Sequence, residues 1–391
     1  MKYIAKMMLA LLASVTLVIP AYAWDFSASG SVEAKWEQKT TKASSSADAI
    51  TSANFSSASG GVSLKSSHTD GDKTLGLTYK ADVDTDGSTL GTDTGLDQTL
   101  SLAGSTKVGK WTASATASQS LMEDGKHDKI SSDDDAAITL TDGSITYVFG
   151  DASHLSTAEK VSDTTADGAS EADAEARVDG FNGFSVGLPV GPGSLTVALD
   201  MNSGSTGYSY SALGEGYSAL NSATGCGGQV TAFGFNFAGN VGADISLTYG
   251  SGSFAKSKTG CTGDNASNTA TSSTLGFGAS VPMGAMSIGL DFESSAQNGK
   301  AGTTDIKETQ SATQVSVGVG GIADGTVTAA FATRTTKSGD ADAANRTGME
   351  LGWKTSIGAT SFEVAYGSWT DDDNGGGDSA SDIEIEMKYS F

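Results

Sequence analysis

From about residue 73 to the end of the chain, apolar and polar residues alternate with a period of two. Ile383, Ile385, Met387, Tyr389 and Phe391 share one parity, while Glu384, Glu386, Lys388 and Ser390 share the other. Leu75, Leu77, Tyr79, Ala81 and Val83 alternate with Lys80 and Asp82. Val241, Ala243, Ile245, Leu247 and Tyr249 flank Asp244, and Met286, Ile288, Leu290 and Phe292 flank Asp291. Met349, Leu351 and Trp353, then Phe362, Val364 and Tyr366, repeat the pattern around Glu350, Lys354 and Glu363. In an extended strand residues i and i+2 share a face, so each segment is predicted to be a strand with one apolar and one polar side. Helical periodicity is nearly absent.

The intervening segments alternate between short and long. Short ones fall at 67–73, 106–109, 142–143, 189–193, 239–240, 282–284, 323–325 and 357–360. Long ones fall at 37–54, 84–94, 120–136, 151–180, 203–227, 255–272, 295–309, 337–345 and 370–380. These connections predict 18 strands, or 16 if the short segments near 55–66 and 136–141 fail to make a hairpin. A soluble sandwich would alternate too. However, eight apolar faces, starting near 75, 195, 241, 286, 327, 349, 362 and 383, carry no charged residue in a chain that is 18% charged. Lipid imposes that cleanliness, because a midplane Lys or Arg costs ~2–4 kcal/mol. Trp36, Tyr79, Trp111, Tyr249, Trp353 and Phe391 sit near segment ends, where aromatic girdles lie. Trp369 breaks this rule, since its parity turns it inward. The fold class is therefore all-β, a transmembrane antiparallel barrel with long outer loops and short periplasmic turns, in outer-membrane lipid.

The N-terminus has a basic start at Lys2 and Lys6, an apolar run from Met7 to Ile19, and Ala21-Tyr22-Ala23. This reads as a signal peptide over 1–23, cleaved to leave a barrel domain over 24–391. Cleavage removes two lysines and takes the net charge of the chain from −23 to −25. With 46 acidic against 23 basic residues, nucleic acid is not expected as a partner.

Segment 151–180 concentrates Asp151, Glu159, Asp163, Asp167, Glu171, Asp173, Glu175 and Asp179 against Lys160 and Arg177. As a pore lining, these carboxylates would favour cations; as an outer loop, they would simply be solvated. Asp82-Val83-Asp84-Thr85-Asp86-Gly87, with Asp93 at the twelfth position, has the oxygen spacing of a calcium loop, but lacks the terminal Glu and flanking helices. Loop-bound calcium and loose screening both remain open, and no other cofactor is expected. Cys226 and Cys261 flank one predicted hairpin and both fall at its outer end, as a disulfide or as two free thiols. His68, His127 and His154 are scattered, and no Gly-x-Ser-x-Gly motif occurs. No enzyme activity is expected.

The chain resembles Gram-negative outer-membrane porins of the trimeric general-diffusion type. The likeness rests on Ala21-Tyr22-Ala23 followed by the barrel pattern, and on the terminal Glu386-Met387-Lys388-Tyr389-Ser390-Phe391. It also rests on Ile138 to Leu140, the turn at Asp142-Gly143, the strand Ser144 to Asp151, and Phe181 to Leu188. The resemblance implies a homotrimer, an assembly signal at Phe391 read by the barrel-insertion machinery, and an inward constriction loop at about 151–180. It implies passive diffusion of small hydrophilic solutes and ions, with cations preferred. The lumen wall would carry Arg334, Lys354, Glu350, Glu363, Glu384 and Glu386. The chain departs from the family in having only Arg177, Arg334 and Arg346 where an arginine cluster is usual, and in placing two extra strands ahead of the loop. A substrate-specific channel and a structural or adhesive barrel with acidic, cation-binding loops are the alternative functions.

Overall fold

A computed structural model describes residues 24–44, 46–85, 94–122, 136–151, 159–172, 182–204, 228–256, 269–301, 304–339, 343–372 and 377–391. It contains 18 strands. They are β1 (Trp24–Lys42), β2 (Ile50–Asp70), β3 (Lys73–Thr85), β4 (Thr94–Val108), β5 (Trp111–Met122) and β6 (Ala136–Thr141). β7 (Thr146–Asp151), β8 (Asn182–Val190), β9 (Gly193–Gly204), β10 (Gly228–Asn240), β11 (Asp244–Lys256) and β12 (Thr269–Met283) follow. The last are β13 (Met286–Ala301), β14 (Thr304–Ile322), β15 (Gly325–Ser338), β16 (Ala344–Ile357), β17 (Thr360–Asp371) and β18 (Ser379–Ser390). All belong to one sheet, and β1 pairs with both β2 and β18, so the sheet is a closed antiparallel barrel. Closure leaves no edge strand unpaired, which a bilayer requires because lipid cannot satisfy backbone polar groups. Among the described residues no helix is long and apolar enough to cross a membrane.

Exposure along the strands is inverted relative to a soluble domain. In β18, Ile383 and Ile385 are exposed while Asp382 and Glu384 are buried; in β16, Met349 and Leu351 are exposed while Glu350 is buried. β14 does the same with exposed Val315 between buried Gln314 and Ser316. Apolar side chains thus face outward and polar ones inward, the arrangement of a lipid-embedded barrel.

Two compact units make up the chain. The first comprises Met1–Ala34, Ser56–Gly143 and Lys388–Phe391. In it the terminal Phe391 exchanges both backbone hydrogen bonds with Gly30, at 2.8 and 2.9 Å, and Lys388 Nζ lies 3.0 Å from Glu33. The second comprises Lys35–Phe55 and Ser144–Met387, and holds the ladders from β7 to β17 and most of β18. Tight turns set the register there. The β14–β15 turn puts Ala323 and Asp324 at φ 49° and 59°, the two left-handed residues that match the strand twist. β16 clamps this turn: Trp353 Nε1 donates to the Ile322 carbonyl and Thr355 Oγ1 to that of Asp324, both at 2.9 Å.

The turns fall within a few residues of their predicted places, and the hairpins at 55–66 and 136–141 form. Two expectations need correction. The loops expected over 37–54 and 295–309 are mostly strand, since β1 runs to Lys42 and β2 starts at Ile50, and β13 runs to Ala301 and β14 starts at Thr304. Gln297–Glu308, Asn298–Lys307 and Lys300–Asp305 face each other across the β13–β14 ladder. Both faces are polar there, so alternation gives no signal although the backbone pairs. Asp82 and Asp84, the first two residues of the candidate calcium loop, lie on β3, opposite Asp97 and Gly95 on β4. Asp86 and Asp93 fall outside the described residues, as do Cys226 and Cys261.

Candidate functional site

Residues 159–172 leave the ladder and run against the polar faces of consecutive strands. They end in one 3-10 turn, Ser170–Ala172. Asp291 on β13 accepts the N–H groups of Lys160, at 2.7 and 2.8 Å, and of Val161, at 2.6 Å. Ser316 on β14 accepts from Ser162 N at 2.9 Å, and Gln314 Nε2 donates to Asp163 Oδ1 at 2.5 Å. Glu350 on β16 takes both ends of the next stretch. Its Oε2 accepts from Thr164 N at 2.9 Å and Thr164 Oγ1 at 3.1 Å, and its Oε1 from Ser170 N at 2.9 Å. Glu363 on β17 accepts from Thr165 N at 3.1 Å, and Asp382 on β18 from Asp167 N at 3.1 Å. On β1, Lys39 Nζ reaches Asp167 Oδ2 at 2.7 Å.

Four wall carboxylates, Asp291, Glu350, Glu363 and Asp382, therefore bind backbone amides. An irregular segment has no ladder of its own, so its N–H groups need partners when covered. Carboxylates are the stronger choice, because charge-assisted bonds exceed neutral ones. Close approach also needs a wall without side chains. A Cβ on Gly348 would strike the carbonyl oxygen of Gly168, and one on Gly367 that of Asp167. On Gly289 and Gly352 it would lie 2.8 Å from Lys160 O and Thr164 Cγ2 respectively. Ala330 and Ala332 on β15 pack against Ala169 and Ala172. The wall is thus a track of Gly and Ala rimmed by acids.

This geometry redistributes the residues expected from sequence. Glu159 and Asp163 are exposed, whereas Asp167 is half-buried and paired with Lys39. Asp151 ends β7 and Glu171 lies in the 3-10 turn, while Asp173, Glu175 and Asp179 fall outside the described residues. Glu350, Glu363 and Glu384, residues expected on the lumen wall, are covered, each 5% exposed or less. The first two are spent on segment 159–172, and Glu384 Oε1 pairs with Lys35 Nζ at 2.8 Å. Lys354 is exposed and pairs with Glu363 Oε2 at 2.8 Å. Arg334 and Glu386 share the inward parity of their strands. Trp369 also points inward, where Arg346 stacks on its ring at 4.6 Å and reaches Asp371 at 2.8 Å.

The anchoring roles of Asp291 and Asp382 escape sequence reasoning, because nothing local shows what covers an inward carboxylate. A signal did exist in Gly289, Gly348, Gly352 and Gly367. Lone glycines of polar-face parity inside strands mark close backbone approach.

A closed 18-stranded barrel with an apolar exterior, a polar interior and one segment laid on the inner wall has the fold of outer-membrane β-barrels. Among solved structures it is similar to the outer membrane channel DcaP of Acinetobacter baumannii, with a TM-score of 0.53 and 13% identity over 95% of this chain and 99% of that one. It is similar to the anion-selective porin from Comamonas acidovorans, with a TM-score of 0.52 and 12% identity over 94% and 100%. The trimer form of OmpT, an outer membrane protein of Vibrio cholerae, gives 0.50 and 10% over 94% and 100%. No family model and no curated protein matches the sequence.

Proposed function

We propose that this protein is an outer-membrane channel through which small hydrophilic solutes and ions diffuse passively, with segment 151–180 as its constriction and cations preferred. The observation that carries the reading is the seating of 159–172 on Asp291, Ser316, Glu350, Glu363 and Asp382. That set of bonds holds a polar segment against a polar wall, the means of narrowing a bore without filling it with apolar core. A barrel of this strand number is wide enough for an aqueous channel. Glu159 and Asp163 are exposed segment carboxylates, and the cation preference is tested on them. Small-solute diffusion needs no cofactor. A homotrimer is the assembly proposed, in line with the trimer form of the OmpT structure and the porin resemblance.

The test is single-channel current across a planar bilayer under a salt gradient, using detergent-folded mature chain. Stepwise ohmic currents with a cation-selective reversal potential are expected. Converting Glu159 and Asp163 to amides moves that potential toward zero. Anion preference in the wild type overturns the cation reading, and absence of steps from a folded barrel overturns the channel.

A further inference from the structure

Where the track ends, β1 and β18 bring together acids that segment 159–172 does not use up. Glu37, Asp382 and Glu384 each present one carboxylate oxygen, and these oxygens lie within 4.8 Å of one another. Asp382 and Glu384 are 2% and 1% exposed. One oxygen of each is engaged: Asp382 Oδ2 by Asp167 N at 3.1 Å and Glu384 Oε1 by Lys35 Nζ at 2.8 Å. The other oxygens, Asp382 Oδ1 and Glu384 Oε2, are buried without a hydrogen-bond partner among the described residues. A buried anionic oxygen left unpaired is costly, and such atoms are nearly always satisfied.

Charge bookkeeping points to the missing partner. Glu37, Asp167, Asp382 and Glu384 face two ammonium groups, those of Lys35 and Lys39. Lys39 Nζ lies 3.9 Å from Glu37 and 2.7 Å from Asp167. Among the described residues two negative charges remain uncompensated, which one divalent cation would neutralise. The donors are all oxygens, so the cation is a hard one. Calcium holds oxygens at about 2.3–2.6 Å and tolerates irregular geometry, so it suits carboxylates that also keep other hydrogen-bond partners. Magnesium demands a near-ideal octahedron at about 2.0–2.1 Å and gives up its water reluctantly, a poorer match to a site of protein carboxylates.

We propose that Glu37, Asp382 and Glu384 form a binding site for a divalent cation of calcium size, on the inner wall where segment 159–172 reaches β1 and β18. The ion ties the two strands together beside the Asp167 anchor. The site stands on cation binding alone and holds whether or not the barrel conducts.

The experiment is isothermal titration of the detergent-folded mature chain, stripped of divalent ions with a chelator, using calcium chloride and then magnesium chloride. Folding of each variant is checked by its heat-dependent shift on a gel. One calcium site per chain tighter than the magnesium site is expected, and Glu37→Gln and Glu384→Gln each weaken it by about tenfold or more, since ligand charge sets affinity. Lys35→Met removes a cation competing for Glu384 and tightens binding, a change no loss of structure would mimic. Glu37 is partly exposed, so its variant carries the test if Glu384→Gln does not fold. Calcium titrations unchanged by Glu37→Gln, or weakened by Lys35→Met, overturn the proposal.

Discussion

Glu350→Gln tests the seating of segment 159–172 with its shape almost unchanged. Glu350 offers two oxygens, one to Thr164 N and Oγ1 and one to Ser170 N, at 2.9–3.1 Å. Glutamine keeps one acceptor and turns an amide N–H2 toward the other donor. One of the two anchors is then lost, and the surviving one is no longer charge-assisted. Hydrogen bonds to charged groups contribute about 1.5–3 kcal/mol, so local opening becomes easier by that amount. At about 1.4 kcal/mol per decade, amide exchange at Thr164 or Ser170 accelerates by roughly 10- to 100-fold. Hydrogen exchange read by mass spectrometry on the detergent-folded barrel measures it. Lys160 and Val161, held separately by Asp291, keep their protection and serve as the internal control. The ladder between β16 and β17 keeps its exchange rate too, because the side chain takes no part in it. Wild-type exchange at both Thr164 and Ser170 would refute the claim that Glu350 holds the segment.

Two further outcomes follow from the same physics. Gly348→Val places a side chain where the Gly168 carbonyl lies, so residues 167–170 lose protection and single-channel conductance rises while the barrel still folds; conductance identical to the wild type counts against a constriction there. Leu290→Lys, on the apolar face of β13 between Ile288 and Phe292, destabilises the barrel in lipid vesicles by ~2–4 kcal/mol in a denaturant titration. A negligible cost would mean that this face does not meet lipid.

The class of the fold was legible in the sequence because a membrane barrel imposes its rule residue by residue. Every outward position must suit lipid, so Ile383, Ile385 and Met387 or Ile288, Leu290 and Phe292 announce their face without reference to any partner. Legibility failed where that rule lapses. Where both faces of a strand are polar, alternation carries no signal, which hid the pairing of Gln297 with Glu308.

Strand number, the parity of each side chain and the acidity of segment 151–180 were thus set by local order along the chain. What the inward carboxylates do was decided only by tertiary structure. Glu350, Glu363 and Asp382 look alike in sequence to any solvated wall charge, and so do Glu37 and Glu384. The roles of Glu350, Glu363 and Asp382 depend on which backbone amides lie within about 3 Å, and those amides come from a segment some 180 to 215 residues away in the chain; those of Glu37 and Glu384 depend on the neighbouring strand. Period-two alternation tells a side chain which way to point; it carries no information about what it meets there.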